Sequence, residues 1–201
     1  MAGLALGRNL FHAAACLAGV GEPKTQTSAR EREALRKYAA GRKRAVEIGV
    51  FEGVTTALIA SAMKPGGDAR LFAVDPFFKG RLGKSWPELI ARRQVRRSGA
   101  ADVVTFVKEL SNDACEKLDG EFDFIFIDGD HSLEGITRDW ADWSGRIVEG
   151  GIIALHDTRV PDYNPAVSML GSHRYFETHI RHDPRFELLE QVDSLSILRR
   201  S

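Results

Sequence analysis

The sequence predicts a doubly wound α/β fold: a mostly parallel, seven-stranded sheet with an antiparallel C-terminal edge hairpin. Five short apolar runs alternate with helical stretches between positions 44 and 157, and such repeated β-α units build a parallel sheet. The tail is different. Its runs FELLEQ (186–191) and SLSILR (194–199) are separated by only two residues, and so short a connection joins antiparallel strands.

The composition is that of one ordinary globular domain. The chain has 201 residues, 43% of them hydrophobic, and its 28 Lys and Arg balance 28 Asp and Glu. A nucleic-acid platform needs a basic surface, so we expect a small-molecule partner and no nucleic acid. Two cysteines are too few for a disulfide scaffold, which favours a reducing, cytoplasmic location.

The first twenty residues are predicted to form a helix. Polar residues interrupt the apolar stretch of this segment, so we expect no membrane span. A targeting signal is the alternative to a packed helix. The helix is expected to pack Leu4, Phe11 and either Leu17 or Ala18 against the body or a partner copy, which allows a homodimer. The predicted division is an N-terminal helical segment (1–25) and a main domain (26–201).

The elements of the main domain follow from caps and apolar runs. Ser28 and Glu31 predict a capping box that opens a helix ended by Gly41. The parallel strands are predicted at RAVEIGV (44–50), RLFAVD (70–75), VVTFVK (103–108), FDFIFID (122–128) and IIALHD (152–157). The intervening helices are expected at Val54–Met63, at 85–99, from about Asn112, and along the face Ile136, Trp140, Trp143 and Ile147, where both tryptophans are expected in the core.

The predicted strand ends are rich in carboxylates, and two of them also carry histidine. In open α/β sheets, ligands bind outside the carboxyl ends of the strands. The residues at those ends are Glu47-Ile48-Gly49, Asp75-Pro76, Glu109-Leu110-Ser111, Asp128-Gly129-Asp130-His131 and His156-Asp157. We therefore expect the functional site at this edge of the sheet.

The first of these loops indicates the charge of the ligand. Residues 47–53 are glycine-spaced, but they form neither a G-x-G-x-x-G motif nor a P-loop. The acids Glu47 and Glu52 flank Gly49 and disfavour a phosphate. Asp75, at the end of the second strand, could accept hydrogen bonds from both hydroxyls of a ribose. A nucleoside with a cationic tail, S-adenosylmethionine, fits these features.

Four segments carry a resemblance to a known family. VEIGVFEG, FAVDPF, FIDGDHSLEG and GGIIALHD resemble the class I S-adenosylmethionine-dependent methyltransferase superfamily. The sequence is most similar to the small branch of macrocin-type and other sugar O-methyltransferases, and more distantly to catechol O-methyltransferase. The resemblance covers about residues 26–200. It implies a Rossmann-like methyltransferase fold, S-adenosylmethionine as cofactor, and O-methylation of a small hydroxylated acceptor such as a sugar.

The resemblance also implies residue roles. Cofactor-binding residues would be Glu47, Gly49 and Phe51 at the methionine end, Asp75 at the ribose, Glu109, Leu110 and Ser111 at the adenine, and Asp128. Metal ligands would be Asp128 and Asp157, with His156 as a third ligand or as a residue that orients Asp157. His131 falls where relatives keep the general base, and a histidine can accept a hydroxyl proton near neutral pH.

The sequence does not decide which metal would bind. Carboxylate oxygens suit Mg²⁺. Relatives carry an acid or amide beside the second carboxylate, whereas His156 and Thr158 flank Asp157 here. A histidine ligand would favour Mn²⁺, Fe²⁺ or Zn²⁺ instead.

The same residues also allow three other functions: a metal-dependent hydrolase, a non-catalytic binding module, or an NAD-dependent oxidoreductase. The last of these would need a denser glycine loop.

Several residues also have structural interpretations. His131 could simply belong to the start of a helix. The loop 76–86 could be a lid or a solvated connector. The remaining histidines give no coherent ligand set, so we expect surface or structural roles for His12, His173, His179 and His182.

Overall fold

The computed structural model describes residues 2–63, 67–80 and 83–201. The α-helices are α1 (Ala2–Ala18), α2 (Ala29–Ala39), α3 (Val54–Met63), α4 (Trp86–Arg97), α5 (Ser111–Lys117), α6 (Leu133–Trp143) and α7 (Gly171–Thr178). The strands are β1 (Arg44–Ile48), β2 (Arg70–Val74), β3 (Val104–Val107), β4 (Phe122–Ile127), β5 (Ile147–Leu155), β6 (Phe186–Val192) and β7 (Leu195–Arg200). Short 3₁₀ helices span Ser144–Arg146, Pro165–Met169 and Ile180–His182.

The strands form one seven-stranded sheet in the order β3-β2-β1-β4-β5-β7-β6. Strands β1 to β5 are parallel, and β7 runs antiparallel to both β5 and β6. The predicted fold class is confirmed, including the C-terminal hairpin. The strand order reverses between β1 and β4, which is the switch point where ligands bind in such sheets.

The parallel strands end at the same level. Ile48 of β1 pairs with Val74 of β2 and with Ile127 of β4. Val74 in turn pairs with Val107 of β3, and Ile127 with Leu155 of β5. The residues that follow the five strands therefore meet along one edge, as the sequence predicts.

Apolar layers cover both faces of the sheet. On one face, α2 and α3 pack Leu35, Ile59 and Met63 against the strands. On the other face, α5, α6 and α7 supply the second layer, with Trp140 and Trp143 buried in it as predicted. Strands covered on both sides form near-continuous apolar runs, which is why FDFIFI of β4 is so hydrophobic.

Helix α1 packs on α4, but through a different face from the predicted one. Ala13 and Cys16 are buried against Ile90, whereas Phe11 is 79% exposed. Phe11 therefore does not pack against the body, because the contact face follows the smaller residues of α1, and its packing on a partner copy stays a prediction. The side chain of Leu4 lies outside the described part. Within the described ranges, no helix combines the length and apolar character needed to cross a membrane.

Candidate active site

A cavity of about 710 Å³ opens at the switch point, along the ends of β1, β2, β3 and β4. It collects most of the side chains that the sequence singles out. Among the residues that line it are Gly49, Phe51, Asp75, Glu109, Leu110, Ser111, Asp128 and His131. Glu47, His156 and Asp157 are not among those lining residues.

Gly49 lets the loop after β1 pass against the end of β4. Its φ is +90°, and a Cβ atom built on it would lie 2.0 Å from the carbonyl oxygen of Asp128. Both the conformation and the contact exclude any side chain at this position. A larger residue would therefore displace the backbone of β4 as well as fill the cavity.

Asp75 fastens the glycine loop to the end of β2. One of its carboxylate oxygens, Oδ2, accepts the backbone N–H groups of Val50 at 3.0 Å and Phe51 at 3.1 Å. The other oxygen, Oδ1, accepts the N–H of Phe77 at 2.7 Å. The carboxylate thus fixes both loops that frame the cavity, and it keeps a lone pair for a ligand hydroxyl.

Glu47 is fully buried beneath the glycine loop and does not line the cavity. The hydroxyl of Thr55 donates to its Oε1 at 2.5 Å, which holds the carboxyl group under the loop. The expectation that Glu47 lines the methionine end is corrected by this position. Burial raises the pKa of Glu47 to about 8, and the negative charges of Asp128 and Asp75 add to this increase. The hydrogen bond from Thr55 acts in the opposite direction.

Asp128 and His156 form the centre of a polar cluster at the ends of β4 and β5. The Oδ1 atom of Asp128 lies 2.9 Å from Nδ1 of His156. Within the part of the chain that the structure describes, neither atom has a hydrogen-bond partner of acceptable geometry. Buried polar atoms left unpartnered in this way are unusual, and these two are adjacent.

His131 and Asp157 complete the cluster. Nε2 of His131 lies 3.7 Å from Oδ1 of Asp128 and 3.7 Å from Oδ2 of Asp157. Asp157 adopts φ of 53°, an uncommon conformation for a residue other than glycine. The hydroxyl of Ser172 donates to its carbonyl oxygen at 2.7 Å and supports that conformation. His131, which directly precedes the N-cap Ser132 of α6, therefore points its ring at the two carboxylates.

Glu31 is a member of this site that the sequence analysis missed. Its Oε2 lies 3.4 Å from Nε2 of His156, on the opposite side of the ring from Asp128. Its Oε1 accepts the backbone N–H of Ser194 at 2.8 Å, and its Oε2 also accepts the N–H of Ser28 in the predicted capping box. The capping box was the only sequence signal at Glu31, and it gave no indication of His156.

The carboxylates shift the ionisation of this group. Burial opposes the charged imidazole, but Asp128, Glu31 and Asp157 outweigh it and raise the pKa of His156 to about 11. The pKa of Glu31 falls to about 2, because the contacts with His156, Ser28 and Ser194 outweigh its burial. The site thus stabilises a positive charge between Glu31 and Asp128.

The donor set fits a divalent cation. Asp128, His131 and His156 each offer a ligand atom, and these atoms lie within 4.8 Å of one another. The unpartnered Oδ1 of Asp128 and Nδ1 of His156 would both gain a partner from one ion. Nε2–H of His156 would then donate to Glu31, an arrangement common for histidine ligands.

The far end of the cavity, between α5 and α6, is less polar. Leu110 is half-exposed and lines it. Ser111 also lines it, and its hydroxyl accepts the indole N–H of Trp143 at 2.8 Å and hydrogen-bonds the carboxyl group of Asp139. Asp139 is a buried lining residue whose role the sequence did not reveal. Its burial raises its pKa to about 6, and the charges of Asp142 and Asp130 add to this.

The loop 76–86 contributes one wall. Pro76 and Phe78 line the cavity, and Phe78 is largely exposed. Phe77 is buried instead, against Phe106. Arg81 lies outside the described residues. The structure thus gives the loop a cavity-facing side chain, while the choice between lid and connector stays a prediction.

Comparison with known proteins identifies the family. Residues 46–158 match the model of a family described as a methyltransferase domain. The match spans more than half of the chain, from within β1 to just past β5, and it includes most of the residues that line the cavity. The chain belongs to this methyltransferase family.

Solved structures share the fold of this methyltransferase. An O-methyltransferase from Bacillus cereus in complex with SAH is 22% identical, with a TM-score of 0.66 over 96% of this chain and 91% of that chain. The O-methyltransferase TomG from Streptomyces achromogenes, in complex with SAM, is 19% identical, with a TM-score of 0.64 over 96% and 89%. The SAH-bound methyltransferase PaMTH1 from Podospora anserina is 18% identical, with a TM-score of 0.67 over 96% and 87%.

At these identities the similarity establishes the fold, which is that of class I S-adenosylmethionine-dependent methyltransferases. The resemblance to that superfamily is confirmed, and the placement near the sugar O-methyltransferases is consistent with it. No protein of curated function matches the sequence significantly.

Proposed function

We propose that this protein is an S-adenosylmethionine-dependent O-methyltransferase that uses a divalent metal and acts on a hydroxyl of a small acceptor, such as a sugar. One observation supports this above all. Asp128 and His131 line the cavity at the switch point and also belong to the cluster that contains His156 and Asp157. A cofactor in that cavity would therefore adjoin the residues suited to metal binding and proton transfer.

The charge and shape of the cavity suit S-adenosylmethionine. Asp75, Asp128 and Glu109 place carboxylates on its walls, which favours a ligand with a cationic sulfonium and ammonium over a phosphorylated one. Phe51 and Leu110 are half-exposed apolar side chains at its rim, where an adenosine could cover them. Cofactor-bound neighbours of the same fold support the same choice.

The cluster would hold the metal through Asp128 and His156, with Asp157 beside them. The unpartnered atoms of the first two residues are the reason for this assignment. The mixed oxygen and nitrogen donors accept Mg²⁺ and suit Mn²⁺ better. When bound, the ion would supply a positive charge that stabilises the acceptor oxygen as its proton leaves.

His131 is then the general base. Its Nε2 atom faces the space between Asp128 and Asp157, so it can accept the proton of a hydroxyl held there. Asp128 and Asp157 stabilise the imidazolium that results, because their charges lie 3.7 Å from the ring nitrogen. When bound, S-adenosylmethionine would supply the methyl group, with S-adenosylhomocysteine as the leaving group.

A second groove indicates where the acceptor would lie. It continues from His131 along Leu133, Met169 and Arg174, and it is open to solvent. Met169 is 83% exposed and Leu133 is partly exposed, so an acceptor here would cover apolar surface. This groove and the cofactor cavity meet at His131.

A metal-dependent hydrolase would use the same carboxylates and histidines, but it would have no use for the neighbouring cavity or for Asp75. Calorimetric titration of the protein with S-adenosylmethionine separates these functions. We expect micromolar binding, and Asp75→Asn should weaken it about tenfold or more, because the variant loses charge and a hydrogen-bond acceptor at the ribose.

Asp123→Asn is a matched control. This carboxylate also accepts two backbone N–H groups, those of Lys43 and Arg44, but it lies at the opposite edge of the sheet, at the start of β4. Affinity in this variant should equal that of the wild type. Absence of S-adenosylmethionine binding by the wild-type protein would overturn the proposed function.

A further inference from the structure

A second cluster of donor side chains lies outside the active site, where α1 meets the glycine loop. Nε2 of His12 is 2.9 Å from Oε2 and 3.0 Å from Oε1 of Glu52. Sγ of Cys16 is 3.7 Å from the same nitrogen. One ligand atom from each of the three residues lies within 4.8 Å of the others. The sequence analysis assigned His12 to no ligand set, because Glu52 is remote from it in the chain.

The three residues are held in place by the fold. His12 and Cys16 are four positions apart on α1, so their side chains lie on one helix face. Cys16 and Glu52 are each only 4% exposed. The backbone N–H of Lys24 donates to Oε2 of Glu52 at 2.6 Å, which orients that carboxylate. The donors are therefore arranged before any ligand arrives.

The spacing of the donors is close to the one that a tetrahedral metal requires. Zinc–ligand bonds of about 2.3 Å to sulfur and about 2.0 Å to nitrogen or oxygen put neighbouring ligand atoms about 3.3–3.6 Å apart. The sulfur–nitrogen distance here is 3.7 Å and the shorter nitrogen–oxygen distance is 2.9 Å. Small side-chain rotations would bring both to the expected separation.

We propose that His12, Cys16 and Glu52 form a zinc site that clamps the N-terminal helix to the glycine loop. The donor types support zinc, because thiolate, imidazole and carboxylate are its usual ligands and a thiolate disfavours Mg²⁺ and Ca²⁺. The charges balance as well. The imidazole is neutral, and the thiolate and the carboxylate each carry one negative charge. The net charge of the nearly buried site would therefore be zero when a dication is bound.

The clamp would have a structural role at the cofactor cavity. Glu52 directly follows Phe51, which lines that cavity, and Lys24 lines it from the connector after α1. The backbone N–H of Lys24 donates to Glu52, so the connector is tied to the carboxylate of the clamp. An ion at this point would therefore join α1, the connector and the glycine loop, and it would fix one wall of the cavity.

Cobalt(II) provides a specific test, because a cobalt–thiolate bond gives an intense near-ultraviolet band. The chain contains two cysteines, Cys16 and Cys115, and the proposed active-site ligands include no sulfur, so the band reports on this clamp. We expect one equivalent of Co²⁺ to produce it in the full-length protein, and Zn²⁺ to abolish it. Cys16→Ser should lack the band, and Cys115→Ser should retain it.

Thermal unfolding gives a second readout. With Zn²⁺ about a hundredfold above its Kd, the melting temperature of the wild type should rise by about 5–10 °C. The rise should be smaller in Cys16→Ser and in Glu52→Gln, both of which preserve side-chain size, because only the active-site cluster would then bind the ion. Circular dichroism in the presence of a chelator would establish that these variants fold.

Absence of a thiolate band from the wild type, or a band that persists in Cys16→Ser, would overturn the zinc site. Neither result depends on methyl transfer or on S-adenosylmethionine binding. Failure of this inference would therefore leave the proposed function in place.

Discussion

Nδ1 of His156 lies 2.9 Å from Oδ1 of Asp128, deep at the ends of two neighbouring parallel strands. On the other side of the imidazole, Oε2 of Glu31 lies 3.4 Å from Nε2. The ring is therefore held between two carboxylates, one of which faces the cavity. In the proposed function, Nδ1 would bind the metal, and Glu31 would accept the Nε2–H and so make Nδ1 more basic.

Glu31→Gln is expected to weaken metal binding by about 10–100-fold, the usual effect of removing the partner of a histidine ligand. The neutral amide of the glutamine lacks the negative charge with which Glu31 attracts the Nε2–H of His156. Titration with Mn²⁺ followed by electron paramagnetic resonance would measure the affinity. Glu33→Gln is the control, because Glu33 is on the same helix but pairs with Arg36 at the surface. Equal affinities in the two variants would show that Glu31 is only a helix cap.

Removal of divalent ions with a chelator should abolish methyl transfer, while affinity for S-adenosylmethionine changes less than about threefold. The reason is that His156 and Asp157 do not line the cofactor cavity, and that Asp128, which lines it, keeps its carboxylate when the ion is removed. Added Mg²⁺ or Mn²⁺ should restore turnover. Full activity of metal-free protein would leave His131 as the sole means of activating the hydroxyl.

His131→Ala should lower kcat by about 10²–10⁴-fold, the usual contribution of a positioned base. Cofactor affinity should change little. His179→Ala is the control, because His179 stacks on Tyr175 at the surface. A near-normal kcat in His131→Ala would assign His131 to the helix start instead.

The apolar runs and glycine turns located all seven strands, because a sheet buried on both faces needs continuous hydrophobic segments. The strand ends then placed Asp75 and Asp128 correctly at one edge. Contacts between remote segments were not predictable. The contact between Glu31 and His156 forms only when the chain folds, and so does the contact between His12 and Glu52. Hydrophobic periodicity in the sequence does not predict contacts of this kind. The orientation of a side chain within a motif was also not predictable. The motif gave the position of Glu47, but it did not reveal whether the side chain faces the ligand or the core.

Gly49→Ala should destabilise the protein severely, by about 3 kcal/mol or more, because its Cβ would lie 2.0 Å from the carbonyl oxygen of Asp128. Gly41→Ala is a matched control. Gly41 also has positive φ, at +73°, but no atom lies within 4 Å of a Cβ built there among the described residues. It should cost only about 1–2 kcal/mol. Urea unfolding would compare them, and equal losses would refute the close contact.

Glu47→Gln should stabilise the protein at pH 8 and change little at pH 4. The folded-state pKa of Glu47, about 8, lies above the ordinary value of 4.5. The wild type therefore loses stability as pH rises from about 4.5 to 8, where the unfolded state is already ionised, and the neutral amide escapes this loss. The difference in melting temperature between the two proteins should grow over that range. A constant difference would contradict the raised pKa.

In the proposed function, one cavity positions the cofactor beside the metal-binding cluster. A crystal structure of the protein with S-adenosylhomocysteine and Mn²⁺, with anomalous scattering recorded, tests it most directly. We predict adenine beside Leu110 and Ser111, ribose at Asp75, sulfur near Asp128, and an anomalous peak between Asp128 and His156. A nucleoside bound outside the cavity, or a manganese peak remote from Asp128, would contradict the account.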